Sequence, residues 1–86
     1  MTSLQELGTA IAAHRRRLGL LQAEVARRAG ITQANLSRLE RGRCSEFGTR
    51  KLLAVLAAIG LEVHLTEAGG AGTLDELREE RERGGP

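Results

Sequence analysis

Four glycines, Gly19, Gly30, Gly42 and Gly60, cut the first 60 residues into short pieces, and each follows a stretch of helical periodicity. A glycine just past an apolar-periodic segment is a helix stop, because it accepts the left-handed backbone that closes the last turn. In the first piece Leu4, Leu7, Ile11 and Leu18 recur on one face, and Ser3 with Glu6 has the spacing of a capping box, which predicts a helix from Leu4 to Leu18. The second piece predicts a helix from Gln22 to Ala29, with Val25, Ala26 and Ala29 as a face of small apolar side chains. In the third, Thr32 is a good N-cap for a helix from Gln33 to Arg41. There Leu36 and Leu39 point one way and Gln33, Ala34, Ser37 and Arg38 another. The loop from Arg43 to Gly48 carries Phe47, expected as a core plug, and the last piece predicts a helix from Thr49 to Ile59 burying Leu52, Leu53, Val55, Leu56 and Ile59. The expected fold is all-α.

The period then changes. Leu61, Val63 and Leu65 alternate with Glu62, His64 and Thr66, a strand pattern. No other segment reads as β, so this strand has no partner within the chain and its backbone groups need one elsewhere. Pairing with the same strand of a second copy across a two-fold axis is the simplest solution; a frayed tail or pairing with another protein are the alternatives. The domain expected to bind and dimerise is residues 1–66, and residues 67–86 are expected to be a flexible tail. Ala68 to Gly72 reads as a linker. Thr73 to Arg83 has a capping box but only Leu74 and Leu77 as apolar content, so it is expected to order only on a partner.

Composition narrows the function. With 86 residues the chain forms one small domain, of a size that often leans on a disulfide, a metal or another subunit. Cys44 is the only cysteine, which excludes an internal disulfide and points to a reducing compartment. Cys44, His14 and His64 lack the paired spacing of a metal site, so no metal or cofactor is expected. The basic run His14 to Arg17 follows the first apolar stretch instead of preceding it, unlike an export signal, and no stretch is apolar for the roughly 20 residues that span a bilayer. A cytoplasmic protein without a membrane segment is the expectation. No nucleophile–base set, carboxylate dyad or phosphate loop is present, so catalysis is not expected. The net charge of +2 is unevenly spread. Residues 1–66 hold ten basic groups against five glutamates, and residues 67–86 hold three arginines against six acidic groups. A basic body with an acidic appendage suits a domain that binds a polyanion.

Two short helices joined at Gly30, the second with a polar outer face, describe a helix-turn-helix. The run from Leu18 to Gly42, LGLLQAEVARRAGITQANLSRLERG, resembles the phage-repressor (Cro/cI, or Xre) helix-turn-helix family, with a likeness extending from Leu4 to Ile59. The resemblance implies a lambda-repressor-like domain of four or five helices in which Gln22 opens the second helix, Ala26 sits at the crossing and Gly30 makes the turn. It also implies a scaffold pair between Arg15 and Glu40. Leu21 departs from the family, which has Ser or Thr there as N-cap; losing that hydrogen bond costs about 0.5–2 kcal/mol. The layout of a fourth helix, the strand Gly60 to Leu65 and a polar tail is similar to the HipB-like antitoxins of toxin–antitoxin operons. That narrower likeness implies a homodimer binding both an operator and a kinase-like toxin.

The residue chemistry can be followed position by position. Gln33 opens the recognition helix, where its amide can pair with the N6 and N7 edge of adenine, as the resemblance also implies. Ala34 can touch a thymine methyl, and Arg38 can read guanine O6 and N7 beside Ser37. Thr32 is a base contact or simply a cap, and Asn35 is a direct contact or a phosphate ligand. The resemblance implies a phosphate contact from Gln22, and further ones are expected from Arg41, Arg43, Arg50 and Lys51. Leu61, Val63 and Leu65 form the expected dimerisation strand. The function expected is a sequence-specific repressor acting on a palindromic operator as the antitoxin of a HipAB-like system. A stand-alone Xre repressor and a protein-interaction module that has lost DNA binding are the alternatives.

Overall fold

The computed structural model describes residues 3–68. They form four helices: α1 (Leu4–Arg17), α2 (Gln22–Ala29), α3 (Gln33–Glu40) and α4 (Thr49–Ala58). α1 packs on α3, and α2 packs on both α3 and α4. The all-α, phage-repressor-like architecture expected of the sequence is therefore present. The linker from Gly69 onward and the Thr73–Arg83 segment lie outside the described residues.

Helix starts follow their caps. The Ser3 hydroxyl accepts the Glu6 N–H at 3.1 Å, and the Thr32 hydroxyl accepts the Asn35 N–H at 3.1 Å. Leu21 occupies the N-cap of α2 without a side-chain acceptor, and only the reciprocal half of a capping box forms, with the Leu21 N–H donating to Glu24 Oε1 at 3.3 Å. α1, α3 and α4 stop one residue short of expectation, because Leu18, Arg41 and Ile59 serve as C-caps.

All four helix ends share one hydrogen-bond pattern. At Gly30 (φ 72°, ψ 31°) the glycine N–H donates to Arg27 O at 3.2 Å, and the Ile31 N–H donates to Ala26 O at 3.0 Å. This crossed pair satisfies two orphan carbonyls and requires a left-handed residue between them. The same pair recurs at Gly19, Gly42 and Gly60. At Gly30 it reverses the chain between α2 and α3, which sets the position of α3.

The core comprises Ile11 of α1, Val25 and Ala26 of α2, Leu36 and Leu39 of α3, and Val55, Leu56 and Ile59 of and after α4. Leu4, Leu7, Phe47 and Leu61 pack against it partly buried. Two sequence expectations are corrected here. Leu18 is 51% exposed, because Arg15 ends the buried stripe of α1 and Leu18 lies a turn beyond that edge. Leu53 is 48% exposed. At 3.6 residues per turn it points about 200° away from Val55, the most deeply buried side chain of α4.

His14 links α1 to the end of α4, its Nε2 lying 3.1 Å from the Ile59 carbonyl at the C-cap of α4. Beyond Gly60 the chain is irregular, with an isolated β-bridge at Thr66 and no ladder over residues 61–65 within the described residues. Leu61 packs on the core, whereas Val63 and Leu65 are exposed. Among the described residues no helix is long and apolar enough to cross a membrane.

Candidate nucleic-acid interface

The α3 helix is held by one buried ionic centre. Arg15 of α1 donates from Nε to Glu40 Oε2 at 2.7 Å and from Nη2 to Oε1 at 2.8 Å, a two-pronged pair. Its Nη1 donates to the Leu20 carbonyl at 2.7 Å, tying the α1–α2 turn into the same centre. Gln22, the first residue of α2, donates from Nε2 to Glu40 Oε1 at 2.9 Å. One carboxylate at the end of α3 thereby gathers α1, the turn and α2. Such a pair tolerates burial only because its donors and acceptors are matched.

The electrostatics agree with the geometry. Burial pushes the Glu40 carboxyl upward, but hydrogen bonds from Arg15 and Gln22 and the charges of Arg15 and Arg16 outweigh it, holding the carboxyl below its ordinary range. The hydrogen bond to Glu40 raises the Arg15 guanidinium above its ordinary value against the opposing effect of burial. The scaffold pair expected between Arg15 and Glu40 is present. The Gln22 contact was not foreseen, and a glutamine expected to hold phosphate spends one amide hydrogen on the scaffold.

Beside this centre, with Gln22 shared between the two, α3 shows its polar face. Thr32, Gln33, Ala34 and Arg38 are exposed, and Asn35 and Ser37 are half-buried. A shallow open depression is lined by Gln22, Gln33, Ala34, Ser37, Arg38 and Arg41. It brings together four of the five expected base-reading residues and two expected phosphate ligands. The fifth, Thr32, has its hydroxyl engaged as the α3 cap. A neighbouring hollow is lined by Asn35, Arg38, Arg43 and Lys51 together with the Cys44–Gly48 loop. Arg38 borders both. Arg50 is exposed on α4 and lines neither.

The two depressions form a surface with cationic and amide donors and no deep cavity. Its donors suit phosphate oxygens and the acceptor-rich edges of purines. Away from it, an apolar groove runs between α1, α4 and the segment after Gly60, lined by Leu4, Leu7, Leu52, Leu56, Leu61 and Val63 among others. Among the described residues no three His, Cys, Asp or Glu side chains converge as metal ligands.

A family model described as a helix-turn-helix domain matches residues 4–66. The chain belongs to the helix-turn-helix family. This helix-turn-helix protein resembles solved structures of regulators as well. The clp gene regulator ClgR from Corynebacterium glutamicum is 32% identical with a TM-score of 0.65; the match covers 69% of this chain and 62% of that one. The chain thus spans less than two-thirds of that ClgR chain's length. A chain of the HipA–HipB–O2–O3 complex is 25% identical with a TM-score of 0.72, over 79% of this chain and 94% of that one. In the SinR–SinI complex, a chain at 23% identity and TM-score 0.62 shares the fold. The comparison with curated proteins finds no match. The chain thus has the helix-turn-helix fold of the regulators it resembles.

Proposed function

We propose that the protein is a sequence-specific repressor that binds a palindromic operator as a homodimer, with α3 in the major groove. The observation that carries this reading is the gathering of Gln33, Ala34, Ser37 and Arg38 on one open face, held by the Arg15–Glu40–Gln22 centre. Gln33 reads adenine, Ala34 admits the helix to the groove floor, and Arg38 reads guanine. Gln22, Asn35, Arg41, Arg43, Arg50 and Lys51 supply phosphate contacts that set register without reading sequence.

Dimerisation is proposed through the segment of Leu61, Val63 and Leu65. Val63 and Leu65 are 51% and 60% exposed, and the backbone beside them has no ladder within the described residues. The apolar groove that Leu61 and Val63 border extends the same face. Antiparallel pairing with a second copy covers these apolar side chains and satisfies the open backbone.

Within this reading we favour the antitoxin of a HipAB-like operon, in which the dimer holds a kinase-like toxin and represses its own transcription. Support comes from the match in fold to a chain of the HipA–HipB–O2–O3 complex, which covers 94% of that chain. The stand-alone regulator is the second reading, favoured by the higher identity to ClgR.

Selection from a random duplex library, with sedimentation of the free protein, tests the DNA-binding proposal. It is expected to return a two-fold symmetric site with half-sites about one helical turn, about 34 Å, apart, and a dimeric mass. An asymmetric single half-site with a monomeric mass contradicts the dimer. A tagged pull-down from the native cell, treated with nuclease, separates the two finer readings. A stoichiometric kinase-like partner is expected; recovery of the protein alone supports the stand-alone regulator.

A further inference from the structure

We infer that Asn35 is a positioning residue that sets the Arg38 guanidinium for base recognition, an inference that rests on reading α3 as the recognition helix. Asn35 is held at two points. Its N–H donates to the Thr32 hydroxyl, and its Oδ1 accepts a hydrogen bond from Arg38 Nη2, one turn further along. Residues three apart on a helix lie side by side, so the pair is built into the sequence spacing. Asn35 is half-buried and, of the two hollows, lines the one bordered by the Cys44–Gly48 loop. Arg38 is exposed and borders both hollows. Asn35 therefore acts from the more buried position on the more exposed one, and it holds the guanidinium where the two hollows meet.

This arrangement leaves the reading edge of Arg38 available. Nη2 carries two hydrogens: one shares an edge with Nε–H and the other an edge with Nη1. Whichever hydrogen Asn35 accepts, one two-donor edge remains for the O6 and N7 acceptors of a guanine. A free arginine must give up the freedom of its long side chain on binding, and an arginine already tethered gives up less. The arrangement also changes the role of Asn35 itself. Its acceptor oxygen is committed to Arg38, so its effect on base discrimination passes through that side chain, while its Nδ2 hydrogens remain donors for a phosphate.

The test uses the full chain and the operator returned by selection, with each base pair substituted in turn. Wild type, Asn35→Ala, Asn35→Asp, Arg38→Ala and the double variant Asn35→Ala/Arg38→Ala are compared at one salt concentration, with melting curves to show that all are folded. Arg38→Ala is expected to lose discrimination of about 5- to 150-fold at one base pair. Asn35→Ala is expected to lose about two- to tenfold at that same base pair and to keep wild-type discrimination elsewhere. In the Arg38→Ala background it should add nothing. Asn35→Asp keeps the acceptor oxygen and should retain discrimination at that pair while binding every duplex more weakly, through repulsion of phosphate. A uniform loss by Asn35→Ala on operator and random DNA, or a loss that adds to that of Arg38→Ala, overturns the proposal. A wild-type chain that selects no sequence overturns the recognition-helix reading first, and the positioning role with it.

Discussion

Gly8 of α1 lies against the main chain of α3 so closely that a β-carbon on it would stand 1.8 Å from the Leu39 carbonyl oxygen. The two helices touch backbone to backbone at this point, and Ile11, one turn along α1, enters the core. Gly8 thus sets the depth at which α3 sits and, through it, the position of the candidate reading face.

Gly8→Ala should destabilise the protein despite alanine's better helix propensity, which alone favours the variant by about 0.8–1 kcal/mol. The clash is with main-chain atoms that cannot rotate away, so the helices must separate, at a net cost of about 1–3 kcal/mol. Thermal unfolding of the full chain checks this. An unchanged or raised melting temperature would show that the helices tolerate a wider spacing.

Glu40→Ala should cost about 3–5 kcal/mol, because it leaves Arg15 buried without its partner, and for a domain of this size that is most of its stability. The pH dependence has a definite sign. The folded-state carboxyl lies below its ordinary value of 4.5. Its contribution is therefore fully present above that value and is lost as pH falls through the lowered folded value. Denaturant unfolding between neutral and acidic pH should show stability falling below about pH 4.5 in wild type, and a shallower fall in a folded Arg15→Met/Glu40→Leu variant. Equal slopes would remove the pair from the acid response.

Leu21→Ser should stabilise the protein by about 0.5–2 kcal/mol, by supplying the missing N-cap acceptor of α2. Leu21 is 65% exposed with an extended backbone (φ −83°, ψ 150°), so little packing is lost and the cap geometry is already in place. A lower melting temperature would mean that this exposed leucine packs on something in the working assembly.

The helices were legible because their signals are local. Ser3, Thr32 and the four terminal glycines act through hydrogen bonds within a few residues, and the observed pattern at each end matches what those residue types require. The direction of each apolar side chain was less legible. Leu18 and Leu53 fit a hydrophobic pattern yet lie outside the core, since a buried arc is defined by its neighbours and not by residue type. Gly8 gave no sign of its role, because a mid-helix glycine takes its meaning from the helix that approaches it. Arg15 and Glu40 were paired only through the family resemblance, and Gln22 joined them only in three dimensions, 18 residues along the chain from Glu40. The candidate reading face was visible as a polar stripe, whereas the hydrogen bond from Arg38 to Asn35 needed side-chain positions.

The central claim is that the outer face of α3 reads base edges, and Gln33 is its most exposed test. The direct measurement is the affinity of wild type and Gln33→Ala for the selected operator and for random duplex at the same salt concentration. Gln33→Ala should weaken operator binding by about 5- to 150-fold, the worth of one good amide–adenine pair, and leave random-duplex binding unchanged. Equal losses on both DNAs, or no loss on either, would contradict the assignment of α3 as the recognition helix.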